Sequence, residues 1–196
     1  MKTIIAITGG IGSGKSVVSD VLRCMGYCVY DSDREAKRLM NSSATLKTKI
    51  TDTFGDESYV NGELNRAHLA KIVFGNDEAR LRLNQIVHPE VIADFRRFCA
   101  SIDSEVVFLE TAILGESGMD KEVDDVWVVT APEEMRIQRV ISRDNTSVDA
   151  VRRRIEAQSN FVKSRKTITN DGETAILPQI TRLLNGMRPE DKGTMC

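Results

Sequence analysis

Histidine, proline and aromatic side chains are scarce in this chain: two, four and ten (six Phe, three Tyr, one Trp) of 196 residues. Two histidines and four cysteines, with no C-x-x-C pair, leave no zinc-type ligand spacing. The cysteines read as reduced thiols filling core or surface positions rather than as a disulfide framework. No run approaches the eighteen or so apolar residues of a membrane span. The apolar start, Thr3 to Ile7, meets glycine too soon to form a signal segment. The expected compartment is therefore the cytoplasm, with no membrane partner. Charge of one sign is lacking too. Lys and Arg number 27 against 29 Asp and Glu, a net −2, so no basic field draws nucleic acid. Internal repeats and low-complexity tracts are absent. What remains is a soluble globular balance with enough chain for one sizeable core.

Five short apolar runs each end in a polar or glycine-rich turn. Thr3 to Thr8 runs into Gly9, and Tyr27 to Tyr30 into Asp31-Ser32-Asp33. Val106 to Leu109 ends at Glu110, Val126 to Val129 at Thr130, and Thr167 to Thr169 at Asn170-Asp171-Gly172. Unalternated apolar runs suit strands buried on both faces, which predicts a five-stranded parallel sheet of an α/β fold covered by helices. Loops at strand C-termini gather on one sheet edge, where ligands bind. The glycine loop, Asp31, Asp33, Glu110, Thr130 and Asn170 should therefore share a cleft. The helix from about Lys15 is predicted to end at Gly26. Residues 34–100 are too long for one crossover and read as an inserted helical lobe, with a turn at Val60-Asn61-Gly62 and a break at His88-Pro89. Pro132 to Arg165 reads as two helices, started by the capping pairs Thr130/Glu133 and Thr146/Asp149. Core segments are expected at about 1–33, 101–133 and 166–196, with a lid at about 134–165, all in one domain.

Gly9-Gly10-Ile11-Gly12-Ser13-Gly14-Lys15-Ser16 matches G-x4-G-K-[ST] between a strand and a helix. Glycines let successive backbone N–H groups curl around a phosphate, and the helix N-terminus adds partial positive charge. Lys15 supplies a full charge, Ser16 a hydroxyl for Mg²⁺, and Val17 continues the helix. A dinucleotide fingerprint from Gly10 would need glycine at Lys15. The pattern predicts a nucleoside triphosphate site, with ATP and Mg²⁺ as cofactors.

No Asn-Lys-x-Asp guanine-reading loop is present, which disfavours a GTPase switch, and a motor ATPase would normally be longer. Arg136, Arg139 and Arg143 share one helix face, and Arg152, Arg153 and Arg154 follow. Guanidinium groups closing over the γ-phosphate stabilise phosphoryl transfer, so the pattern favours a kinase with an arginine-bearing lid. Of Asp31 and Asp33, one is read as a helix cap and the other as free for acid–base chemistry. Glu110 is read as an Mg²⁺ carboxylate or a helix cap. His88, before Pro89, is read equally as an acceptor contact or a turn, and Trp127 as core.

Taken together, Thr8 to Ser16, Asp31-Ser32-Asp33 with Ala36, Gly62-Glu63-Leu64-Asn65-Arg66, Val73-Phe74, His88-Pro89, Arg139 with Arg143-Asp144, Gln158 and Asn170-Asp171-Gly172 span nearly the whole chain. This ordered set resembles the dephospho-coenzyme A kinase family, in the nucleoside-monophosphate-kinase-like group of P-loop kinases. The resemblance implies a P-loop three-layer sandwich and ATP-dependent phosphorylation of the ribose 3′-hydroxyl of dephospho-CoA. It casts Asp33 as the base, with Lys15, Arg139 and Arg143 beside the transferred phosphate. Gly10 to Val17 and Asn170 would hold the nucleotide, Asp31, Asp33, Arg66 and His88 the acceptor, and Ser16 with Glu110 the metal. Expected partners are limited to the small-molecule acceptor, in a monomer or weak homo-oligomer. The rival readings are another small-molecule or nucleoside-monophosphate kinase, or a nucleotide-binding switch without an acceptor. The family often carries Pro-Leu-Leu after the third core strand, where this chain has Thr111-Ala112-Ile113-Leu114, and residues 161–167 also depart from its pattern.

Overall fold

The computed structural model of the chain describes residues 2–158, 164 and 166–187. It divides into two compact units, one of residues Met1–Asp31 with Ile102–Cys196 and one of Ser32–Ser101.

In the first unit, β1 (Thr3–Thr8) turns through the glycine loop into α1 (Lys15–Cys24) and returns as β2 (Cys28–Asp31). The Gly26 expectation holds. Gly26 takes a left-handed φ of 87°, its N–H donates to the Arg23 carbonyl, and the Tyr27 N–H reaches back to Leu22 at 3.0 Å. That pair of bonds is a Schellman closure, satisfying carbonyls that the helix end would otherwise orphan.

In the second unit, α2 (Ser32–Ser42) and α3 (Ala44–Phe54) precede a hairpin of β3 (Tyr59–Val60) and β4 (Glu63–Leu64). The hairpin turns on Asn61 (φ 52°) and Gly62 (φ 82°), both left-handed as a two-residue turn requires. Helix α4 (Arg66–Val73) and helix α5 (Asp77–Ser101) complete the unit. The break expected at His88-Pro89 is corrected, because α5 runs through it with Pro89 inside. Proline removes one helical hydrogen bond, but Val87, Val91 and Phe95 are buried on one face across that position and hold the turns together.

Back in the first unit come β5 (Val106–Glu110), β6 (Asp125–Thr130), α6 (Glu133–Asp144), α7 (Val148–Ala157), β7 (Lys166–Thr169) and α8 (Ile176–Asn185). The sheet order is β2-β5-β1-β6-β7, and every pairing is parallel. The chain leaves the central β1 toward one side of the sheet and later crosses to the other. The crevice at the C-terminal end of β1 is thus the switch point where α/β folds bind ligands. Ile5, Ile7, Phe108, Trp127, Val129 and Ile168 from one sheet face pack with Val18 and Leu22 of α1 and Ile180 and Leu184 of α8. Ala6, on the opposite face, is equally buried, as are all five residues of β5. Burial on both faces is why these strands lack polar alternation.

Two predicted caps are corrected. Pro132, not Thr130, precedes α6, with no side-chain cap bond, and Ser147 rather than Thr146 caps α7 by accepting from the Ala150 N–H. Cys24 and Cys99 are free thiols. Among the described residues, no helix is long and apolar enough to cross a membrane.

Candidate functional site

The loop between β1 and α1 is bent by glycine where nothing else fits. Gly14 sits at φ 91°, and a Cβ there would lie 1.9 Å from Asn170 Nδ2. Ser13 N–H closes a turn onto the Gly10 carbonyl at 3.1 Å. Gly14 is the N-cap of α1 and contributes no side-chain cap bond. Lys15 and Ser16 open that helix, so their N–H groups are among the four without an intrahelical acceptor. An uncapped helix start behind a curled loop suits an anion. The Lys15 ammonium folds over the loop and donates to the Gly9 carbonyl at 2.9 Å and the Gly10 carbonyl at 3.4 Å. Ser16 and Val17 are exposed on the first turn of α1.

Beside the loop, register places the ends of three strands in one row: Ile7 pairs with Glu110, and Glu110 with Asp31. Glu110 is buried, and its Oε2 has no hydrogen-bond partner. Burial pushes its pKa above the ordinary carboxyl value. Ser19 opposes that shift, Asp31 adds to it, and Lys15 and Arg23 oppose it. A buried carboxylate with an unsatisfied oxygen, facing another carboxylate, is the surrounding a divalent cation relieves. Among the described residues no group of three or more His, Cys, Asp or Glu is placed to hold a metal.

On the other side of the loop, Asn170 follows β7 and is buried; its N–H donates to Thr130 at 2.8 Å. Its Nδ2 donates to the Ser13 carbonyl at 2.9 Å. Arg139 of α6 donates to both the Asn170 carbonyl (3.1 Å) and Oδ1 (3.2 Å), and weakly to the Gly12 carbonyl (3.4 Å). Arg139 thus braces the loop rather than standing open to solvent. Arg143 forms a two-pronged pair with its neighbour Asp144 at 2.7 and 3.1 Å, and Arg154 joins the same carboxylate at 3.3 Å.

Lys15, Glu110, Asp31, Arg139 and Asn170 are therefore gathered within the first unit, and Arg143 of the same unit is engaged with Asp144. Asp33, Arg66 and His88 belong to the second unit. Asp33 is exposed in the first turn of α2, two residues past the end of β2, and Arg66 is exposed at the first position of α4. His88 is half-buried within α5. Two further residues touch the loop without having been assigned to it: Arg136 donates to the Ile11 carbonyl, and Gln158 accepts from the Ile11 N–H. Both were visible as residues, but their partners lie 125 and 147 positions away. No local pattern could pair them. Of the lid assigned to about 134–165, residues 159–163 and 165 lie outside the described residues, as do 188–196 of the final core segment.

The family model for dephospho-CoA kinase matches residues 3–175. A dephospho-CoA kinase of Bacteroides fragilis is 40% identical over 189 residues, covering 94% of this chain and 92% of its own. The solved dephospho-CoA kinase of Campylobacter jejuni is 25% identical, with a TM-score of 0.68 over 94% of this chain and 96% of its own. A Thermus thermophilus protein of known crystal structure is 34% identical, with a TM-score of 0.79 over 94% and 95%.

Proposed function

The chain belongs to the dephospho-CoA kinase family, and from that premise we propose how its own residues carry ATP-dependent phosphorylation of dephospho-CoA to coenzyme A. One observation carries the assignment of roles: the curled loop ends in an uncapped helix start, with Lys15 above it and the buried Glu110 carboxylate, its Oε2 without a partner, on the adjoining strand.

The loop from Gly10 to Val17 receives the ATP phosphates through those backbone N–H groups that are not already given within the fold, as the Ile11 N–H is to Gln158, and Lys15 leaves the loop carbonyls to meet their charge. Asn170 fixes the loop beneath the nucleotide from the side of β7. Ser16 and Glu110 would hold Mg²⁺, which when bound neutralises charge on the β- and γ-phosphates. Arg139 and Arg143 stabilise charge on the transferred phosphate, Arg139 from its brace and Arg143 after releasing Asp144. The acceptor, dephospho-CoA, is bound by Asp31, Asp33, Arg66 and His88 and offers its ribose 3′-hydroxyl. Asp33 takes its proton as the oxygen attacks the γ-phosphorus, and ADP leaves. The enzyme acts in the cytoplasm on a small molecule alone, as a monomer or weak homo-oligomer, without nucleic acid or membrane.

The test is an acceptor panel. Wild-type protein with ATP and Mg²⁺ is offered dephospho-CoA, nucleoside monophosphates and small alcohols, and products are read by mass spectrometry. Dephospho-CoA is expected to gain one phosphate. Lys15→Ala should keep the wild-type circular dichroism and lose transfer by about 10²-fold or more. Near-wild-type turnover in that variant contradicts the phosphate-loop assignment, and ATP hydrolysis without any acceptor product favours a switch.

A further inference from the structure

Ile11, midway along the phosphate loop, is held by all three of its bonding elements. Its carbonyl accepts from Arg136 Nε at 2.9 Å, and its N–H donates to Gln158 Oε1 at 2.7 Å. Its side chain packs against Ile137, Val140 and Val151, the apolar seam between α6 and α7. The contact is close on the backbone as well: a Cβ on Gly12 would lie 2.6 Å from the Arg136 carbonyl oxygen. Arg136 sits at the second turn of α6, and Gln158 is the C-cap of α7. The two ends of one helical hairpin therefore grip a single loop residue.

The grip carries a desolvation cost that a surface contact would not. Burial holds the Arg136 pKa below the ordinary arginine value, and its Nη2 is buried without a partner. A backbone N–H already given to Gln158 is not a free phosphate donor, so the role of this bond lies in shaping the loop. Within the segment that the sequence suggests as a swinging lid, the α6–α7 hairpin is fastened to the phosphate loop through Arg136 and Gln158.

We propose that Gln158 and Arg136 are positioning residues of the kinase, which through Ile11 hold the phosphate loop in its nucleotide-receiving curve and tie it to the α6–α7 hairpin. Neither needs to touch the reacting atoms. The proposal rests on the nucleotide-site reading, but not on the identity of the acceptor.

Three variants test it: Gln158→Met, which keeps length and packing but loses the acceptor; Arg136→Met, which loses the donor; and Arg136→Lys, which can keep one. ATP affinity is read by titration calorimetry with Mg²⁺ present, kcat and both KM values by turnover of dephospho-CoA, and the Ile11 amide by hydrogen exchange in unliganded protein. Loss of one hydrogen bond should weaken ATP binding about 2- to 10-fold. Gln158→Met should also speed Ile11 exchange, with KM for the acceptor unchanged. Arg136→Met should weaken ATP binding, and Arg136→Lys should recover most of it. Faster Ile11 exchange with ATP affinity and kcat both unchanged would overturn the proposal, leaving a bond with no role in positioning. Tighter ATP binding in Gln158→Met would overturn it too, since Gln158 would then be competing with phosphate. Failure of the underlying site reading has a different signature, namely Lys15→Ala binding ATP as tightly as wild type.

Discussion

At the end of β5, Glu110 combines burial, a neighbouring Asp31 and an oxygen without a partner. Its pKa is raised in the fold by burial, so the folded chain holds this proton at a pH where the unfolded chain has released it. The sign follows by linkage. Stability from this group is full below the ordinary carboxyl pKa, about 4.3, and is lost as pH rises through the raised value. Above that window, without metal, the charge is a net cost. Glu110→Gln should therefore raise Tm at neutral pH in chelator-treated protein, by about 2–4 °C for each 1 kcal/mol recovered, while transfer falls sharply. Thermal melts with and without Mg²⁺ measure this, and a lowered Tm in chelator would show that the carboxylate is stabilising without metal. Asp33 and Asp31 separate by the same kind of substitution. If Asp33 accepts the hydroxyl proton, Asp33→Asn should lower kcat by about 10²-fold or more with ATP affinity kept. Asp31→Asn is the control, and a large loss there with none at Asp33 would mean the two roles are exchanged. The loop, Asp31, Glu110 and Asn170 were legible as residues because each closes an apolar run. Gln158 and Arg136 were not legible as loop contacts, because pairing across more than a hundred positions leaves no trace in local pattern.

Among the elements, the ones read from sequence were those with local causes. Gly26 ends α1 and Asn61-Gly62 turns the β3–β4 hairpin because each needs a left-handed backbone that few other residues accept. Pro89 misled for the complementary reason. Proline's local preference against a helix interior was outweighed by burial on either side of it, and burial is a tertiary fact. Start signals at α6 and α7 slipped for want of geometry, since Thr130, Pro132, Thr146 and Ser147 all fit a helix start on paper. The α1 start supplies its own prediction. Gly14→Ala places a Cβ within 1.9 Å of Asn170 Nδ2 at a left-handed φ, so Asn170 must leave the Ser13 carbonyl. The expected loss is about 1–3 kcal/mol of stability together with weakened ATP binding, read by thermal denaturation and calorimetry. Wild-type stability in that variant would mean the Asn170 brace is easily displaced.

For the molecule as a whole, the parallel sheet was the most readable feature, because strands buried on both faces cannot alternate and so stand out as short apolar blocks. Strand order was not readable, since nothing in those blocks says that β1 lies between β5 and β6. That order gives the fold its function, because it brings the glycine loop to the switch point with Glu110 on the next strand. The measurement that tests the central claim most directly is competition in one vessel: ATP, Mg²⁺, dephospho-CoA and adenosine monophosphate at equal concentration, with products separated and the phosphate position read by ³¹P NMR. One ADP should form for each coenzyme A, the new phosphate should sit on the ribose 3′-oxygen, and adenosine monophosphate should remain unchanged. Phosphorylated adenosine monophosphate with dephospho-CoA untouched, or ATP consumed with no coenzyme A formed, would contradict it.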